Sequence, residues 1–520
     1  MLLRRLFPNR FVRILLWIFI TAVTLCILLF VWTNWSGRRR WAATKAVLEH
    51  EGETLDFSKL LPATPPAAKN LLAIEPLNDL AAVVDNDDKK GVQGVRRQAL
   101  EAMKWSGGTH PASNGVLLGK AEDIQAWAKY LREIKYLELP AEVSVSAREV
   151  LTALDVKLPL LKQIADEAVN RPLAMFTPGL REREMPDLLV TLRVPHYNAV
   201  QTLAKALALR ARAAVAAGDS SEASHSIIAI HRLAMACEQE PLLIGFLVGN
   251  SLEMLALEPL WLGLREHAFA EGDLRQLQDL FAVDHTSRAL LLAMRGELAA
   301  GMNAVEFLQL AASGQRVVDG DLVKALTADG IKVSHYLRRA VPGGLFDHWK
   351  AVIAELELQY LIQPLKTSGL RESVRKGESV ATELQRNANP LLHPDHLFAR
   401  LMLPAVAQIS MQALVLETRR RQALIALALE RFFVKQGRYP ATLAELTPDF
   451  LPAVPLDPCG EKAMRYRITP AGLYQLWSVG FDAKDDGGKV IVDAKKPSKM
   501  SKPEYVGDWT WQYEAVEPAK

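Results

Sequence analysis

Three cysteines in 520 residues are too few for a disulfide framework, which excludes a small secreted knot. One-sided charge is missing too. Sixty-two basic against 59 acidic residues leave a net charge of +3, without the clustered basic excess of a nucleic-acid binder. No Walker loop, Gly-x-Ser-x-Gly elbow, His-Glu-x-x-His pair or kinase signature occurs. Wholesale disorder is excluded as well, because half of the residues are hydrophobic. The length implies roughly two to four domains.

What is present begins with a stretch that lacks charge altogether. Ile14 to Thr33 reads ILLWIFITAVTLCILLFVWT. At about 1.5 Å per helical residue it spans about 30 Å, the thickness of a bilayer's hydrocarbon core. Trp17, Trp32 and Trp35 stand near its ends, where indoles favour the headgroup interface. A cleaved signal peptide would have a shorter apolar region and small residues at the cut, whereas Asn34-Trp35-Ser36 is a poor site. The run is therefore read as an uncleaved signal anchor and single-pass transmembrane helix. Flanking positive charge nearly balances, so orientation follows from length: a short tail inside and the bulk outside. The expected location is the inner membrane, with the chain beyond the span on the periplasmic side.

Past the anchor, Trp41 to Glu51 reads as a short helix and LLPATPPAAKN as extended chain. Residues 84–95 and 105–115 read as loops from their Gly, Asn and Asp content. From about 121 to 436 helical apolar spacing dominates. Ser146 with Glu149 forms a capping box for a helix running toward Val169. The Gly218-Asp219 and Gly272-Asp273 junctions read as turns between antiparallel helices. Pro241 to Leu264 is apolar enough to suggest a second span, but Glu253 and Glu258 argue for a buried central helix, since an acid at bilayer depth costs at least about 2.5 kcal/mol.

The last part of the chain is the most specific. A helix from Leu401 to Gln436 ends at Gly437, followed by Arg438-Tyr439-Pro440. Thr442 to Glu445 is a capping box, Asp457-Pro458-Cys459-Gly460 a type I turn, and MRYRI and LYQLWS a hairpin around Thr469 to Gly472. Ser478-Val479-Gly480-Phe481-Asp482 leads into Asp485-Asp486-Gly487-Gly488 and a short strand KVIV. This order resembles the globular head of the major type II secretion pseudopilins, over about 110 residues. The arrangement as a whole resembles uncharacterised single-pass bacterial envelope proteins, including their Trp, Gly-Glu-x-Leu and Pro-rich sequence at Trp41 to Pro66. The resemblance implies an architecture and no defined reaction.

The expected fold is mainly α: a transmembrane anchor (1–36), a stalk with irregular, partly helical chain (37–140), a helical-hairpin domain (141–395) and a small α+β pseudopilin-like module (396–520). Two imidazoles at His393 and His396, with Asp395 between them, form the most metal-like cluster. Pro394 and the lack of a third ligand make it a polar loop instead. His225 and His231 lie six apart on one helix and read as surface or packing residues. Lys495, Lys496, Lys499 and Lys502 read as a solvated basic loop. Asp482, Asp485 and Asp486, with Asp493 beyond, crowd a Gly-rich loop and are candidate calcium ligands, as the pseudopilin resemblance implies. Counted as an EF-hand, however, the loop puts Lys484 where a ligand belongs. No other cofactor is expected. The expected partners are the bilayer, through residues 14–33, and envelope proteins, without nucleic acid. The leading function is a non-enzymatic scaffold or partner-binding protein. The alternatives are an envelope hydrolase with a dispersed active site and a secretion-system-associated component. A deep pocket holding convergent His, Asp or Glu would favour the hydrolase.

Overall fold

Nothing between Ile14 and His50 breaks a helix: the stretch has no proline and a single glycine. The computed structural model describes residues 10–80, 123–140, 145–181, 192–313, 341–386, 393–489 and 507–514, apart from positions 76, 178 and 461, and adds Val116, Gly119 and Leu189. The first helix, α1, runs unbroken over Arg10–His50, so the short helix expected from Trp41 is its continuation. Its apolar run is unburied by the rest of the chain.

The helical block follows with α2 (Ile124–Glu133), α3 (Ala147–Lys157), α4 (Pro159–Asn170), α5 (His196–Ala216), α6 (Ser220–Glu238), α7 (Leu243–Arg265), α8 (Glu271–Ala282) and α9 (Thr286–Ser313). Ser146 and Glu149 form the expected reciprocal capping box. The helix it opens stops at Lys157, because Pro159 has no N–H to continue the ladder and starts α4 instead. The Gly218-Asp219 turn is present, with the Asp219 side chain accepting from Glu222 N. Gly272-Asp273 is not a turn. It lies in the first helical turn of α8, and Asp273 accepts from Ser220 Oγ (2.5 Å) and Ser224 Oγ (3.1 Å). Arg210 of α5, wholly buried, ties three helices: it donates to Asp155 (2.7 Å) on α3, and to Glu222 (2.5 Å) and Ser226 (2.8 Å) on α6.

Then come α10 (Gly343–Glu357), prolonged by a π-helical turn at Leu358–Ile362, α11 (Leu370–Arg386) and the 40-residue α12 (Leu397–Gln436). Pro404 sits inside α12. Two large cores share α12: its C-terminal half joins the cluster of α3 to α8, its N-terminal half that of α9 to α11. Among the described residues, three helices are long and apolar enough to cross a membrane, the stretches Ile14–His50, Leu243–Arg265 and Pro394–Gln436. The second is two-thirds buried and the third more than half, whereas the apolar part of the first is not buried at all.

Gly437, in left-handed conformation, ends α12, and the Thr442–Glu445 capping box opens a 3-10 turn at Leu443–Leu446. A small antiparallel sheet of order β1-β2-β3 follows: β1 Arg465–Ile468, β2 Tyr474–Ser478 and β3 Trp509–Gln512. The hairpin register pairs Arg465 with Trp477 and Ile468 with Tyr474. β3 was not expected from the sequence, and Val490 to Val492 of the expected KVIV strand lie outside the described residues, as do the loops 84–95 and 105–115 and the lysines from 495 to 502. Asp457 explains two of the sequence motifs together. Its carboxylate accepts from Cys459 N (2.9 Å), Ser478 Oγ (2.6 Å) and Val479 N (3.0 Å), so the Asp-Pro-Cys-Gly turn is stitched to the Ser-Val-Gly stretch. Cys237 and Cys459 are free, buried thiols in different cores.

Beside α9, α10 buries Glu357, with Oε1 left without a hydrogen-bond partner. Burial pushes this carboxyl well above the usual range, and Glu297, itself raised by burial, adds to the shift. The folded chain keeps a proton here that the unfolded chain has released, so stability falls as pH rises above about 4.5, by up to about 1.4 kcal/mol per pH unit for one such group. In thermal unfolding of the detergent-solubilised chain between pH 5 and 8, Glu357→Gln is expected to flatten this decline. An unchanged pH slope would show that Glu357 is ionised when folded.

Candidate functional site

A cleft of about 510 Å³ opens between α6, α8 and the start of α9. Its apolar wall includes Val169, Ile228, Leu280 and Leu292, and its polar rim includes Arg232, Gln239, Asp279 and Arg288. Helical periodicity builds the α6 side: Ile228, His231, Arg232, Met235, Glu238 and Gln239 recur at spacings of three and four. His285 comes from the residue before α9.

The floor carries the charge. Glu253 of α7, fully buried, accepts from Arg420 Nη1 of α12 at 2.8 Å. Its other oxygen lies against His231 Nδ1 and 3.9 Å from His285 Nε2. Arg420 also donates to the Val283 carbonyl (2.9 Å) and stacks over Phe281 (5.4 Å). Burial alone would raise Glu253, but His231 and Arg420 outweigh it and hold the carboxylate down at about 2. Burial pushes His231 down to about 4, so this imidazole is neutral at pH 7.

One layer nearer the opening, His285 Nδ1 donates to the Val283 carbonyl (3.3 Å), which turns Nε2 toward Glu238 Oε2 at 3.2 Å. A lone pair and a carboxylate that close repel each other unless one carries a proton. Both groups are shifted to hold it. Burial raises Glu238 beyond what His285 lowers it, and for His285 the Glu238 and Glu253 carboxyls outweigh burial and Arg420 and raise it. An acid and a base thus face each other at the end of a cleft, the residue types used for general acid–base chemistry.

Four residues of this site were not legible in the sequence: Glu238, His285 and Arg420, which carry no signal of their own, and His231 in this role. His231 reads from the sequence as a packing residue; the structure sets it against Glu253. His285 carries no local signal, and only the α8–α9 turn brings it to Glu238. The sequence-derived candidates do not converge. Asp485 bonds Arg465 (3.0 Å), Trp477 Nε1 (3.0 Å) and Gly487 N (3.1 Å), while Asp482 faces solvent and accepts from Lys484 N of its own turn (3.1 Å). Asp486 is also exposed, and Asp493 lies outside the described residues. Asp508, unnoticed in the sequence, accepts from Gly488 N (2.7 Å), and burial, with Asp485 and Asp486, pushes it up to about 6. His393 and His396 stack at 5.3 Å, and Asp395 pairs with Arg40 (3.3 Å). Among the described residues, no group of three or more His, Cys, Asp or Glu is arranged to hold a metal ion. Compared with protein-family models, curated proteins and solved structures, the chain matches none.

Gly249 of α7 shapes the site through its missing side chain. A Cβ there would stand 2.5 Å from Glu238 Cγ and 3.0 Å from Glu238 Oε1. Gly249→Ala is expected to push Glu238 away from His285, cost about 1–3 kcal/mol by overpacking and lower the His285 pKa. NMR titration of the His285 ring reads the effect. A His285 pKa that stays raised in the variant would show that Glu238 is not what raises it.

Proposed function

We propose that this chain is a membrane-anchored envelope protein, held in the inner membrane by residues 14–33 with its bulk on the periplasmic side, whose helical body binds a small polar solute and transfers a proton to or from it. The observation that carries the reading is the convergence of His285, Glu238 and His231 on one cleft of a size that suits a small ligand, with Glu253 buried behind them. This favours the hydrolase alternative over the non-enzymatic scaffold that leads from the sequence alone. Among the described residues, the cleft lining includes no Ser, Thr, Cys or Lys, and its titratable groups are the carboxyls, imidazoles and guanidiniums of Glu238, Asp279, His231, His285, Arg232 and Arg288. In this scheme His285 and Glu238 exchange the proton, Arg232 and Arg288 offer positive charge to an anionic group, and Glu253 with Arg420 fixes the floor.

The C-terminal sheet is proposed as an interaction head for envelope partners. Its support is the ordered set of motifs from Gly437 to Asp482, which resembles that of pseudopilin heads.

The test is a solute screen on the purified full chain by thermal shift, run in parallel on His285→Ala and Glu238→Gln. A solute of the right class is expected to stabilise the wild type and lose at least about tenfold in affinity, equivalent to 1.4 kcal/mol, against either variant. Equal stabilisation of all three proteins by every solute that binds would remove the cleft as the site.

A further inference from the structure

The anchor passes into the body without a linker, because α1 is unbroken from Arg10 to His50. Contact begins at the last residue of the uncharged run: a Cβ on Gly344 would strike the Thr33 carbonyl, and one on Gly37 would strike the Gly344 carbonyl, so α1 and α10 meet backbone to backbone. Every later turn of α1 is tied down. Gly344 N donates to Asn34 Oδ1 (2.8 Å), and Ser36 Oγ bonds His348 Nε2 (3.1 Å). Arg40 pairs with Glu355 (2.7 Å), and Thr44 Oγ1 donates to the same carboxylate (2.7 Å). Beyond the helix end, Glu53 is clamped by Arg295 (2.6 Å) and Lys366 (3.0 Å). No free segment remains between Thr33 and Glu53 to act as a hinge.

This geometry sets heights. With 14–33 filling the hydrocarbon core, the headgroup layer, about 5–8 Å per leaflet, takes up Asn34 to Arg38. Trp32 and Trp35, exposed and 5.4 Å apart, and Arg39 stacked on Trp35 at 5.4 Å, suit that layer. The start of α10 at Gly343-Gly344 is level with Asn34, and Gln309 near the end of α9 donates to the Gly343 carbonyl (3.2 Å). From Gln309, α9 climbs to Arg295 in about 21 Å and to His285 in about 36 Å. The anchor gives an independent check: from Asn34 to His50 it climbs about 24 Å, and Glu53 just beyond meets Arg295.

We infer that the base of the helical body, formed by the first turn of α10 and the last turns of α9, rests on the phospholipid headgroup layer, and that the His285–Glu238 cleft is thereby held at a fixed height of about 35 Å above the hydrocarbon core. The inference rests on the anchor reading given above, and it narrows the ligand. At that height the cleft takes a water-soluble or wall-attached solute, not the acyl portion of a membrane lipid.

Energy transfer measures the heights. The full chain, with Cys26→Ser to leave only buried thiols, carries a donor at Glu306→Cys or at Arg288→Cys, both exposed positions on α9. It is reconstituted in phosphatidylglycerol and phosphatidylethanolamine vesicles that hold headgroup-labelled acceptor lipid. The donor at 306 is expected within about 10 Å of the acceptor plane and the donor at 288 about 27 Å farther. Carbonate extraction of the unlabelled chain is run beside it. Release by carbonate would overturn the anchor reading and the seat together. Retention with both donors equally distant, or with a broad spread of distances, would overturn the seat and leave the anchor standing.

Discussion

Three consecutive arginines on α12 hold the molecule's parts to one another. Arg420 reaches α7 through Glu253 and the α8–α9 turn through the Val283 carbonyl. Arg419, buried to the point that its pKa falls to about 10, donates to the Thr510 carbonyl of β3 and to Gln422. Arg421 donates to Glu417 and to the Leu456 carbonyl ahead of the sheet. Successive helical residues point about 100° apart, so a triplet can address three directions only on a helix surrounded by protein. The Arg420–Glu253 pair matters most. Removing one partner of such a pair typically costs about 3–5 kcal/mol, because the other charge stays buried and unpaired.

That pair also explains why the cleft is polar. A carboxylate buried for architecture cannot be neutralised by one guanidinium without affecting its neighbours. Glu253 stays ionised, His231 beside it stays neutral, and the residual negative field favours a proton on His285. The chemistry at the opening is thus set by a contact buried beneath it.

Local patterns in the sequence disclosed local structure. The uncharged run, the two capping boxes, the Gly218-Asp219 turn and the hairpin around Gly472 each depend on residues within a few positions of one another, and each appears in the structure. Expectations failed where a nearby residue had a second role. Pro159 split one helix, and Asp273 served as an acceptor for α6 rather than as a cap. The third strand was illegible because Trp509 to Gln512 has no hairpin partner in sequence; α12 and α7 supply the donors for its carbonyls, Gln422 to Trp509 and Trp261 to Gln512.

The candidate site was illegible for the same reason, carried further. Its members stand at 231, 238, 253, 285 and 420, and no two carry a recognisable motif between them. Glu253 of α7 is the one member with a sequence signal, and that signal points elsewhere. It argues against a membrane span, on the cost of placing an acid in lipid. The same cost applies in a protein interior, where a buried carboxylate must be paired. An acid inside an apolar helix that does not cross a membrane therefore demands buried cations or imidazoles from elsewhere in the chain. Arg420 and His231 meet that demand, and His285 with Glu238 is assembled around them.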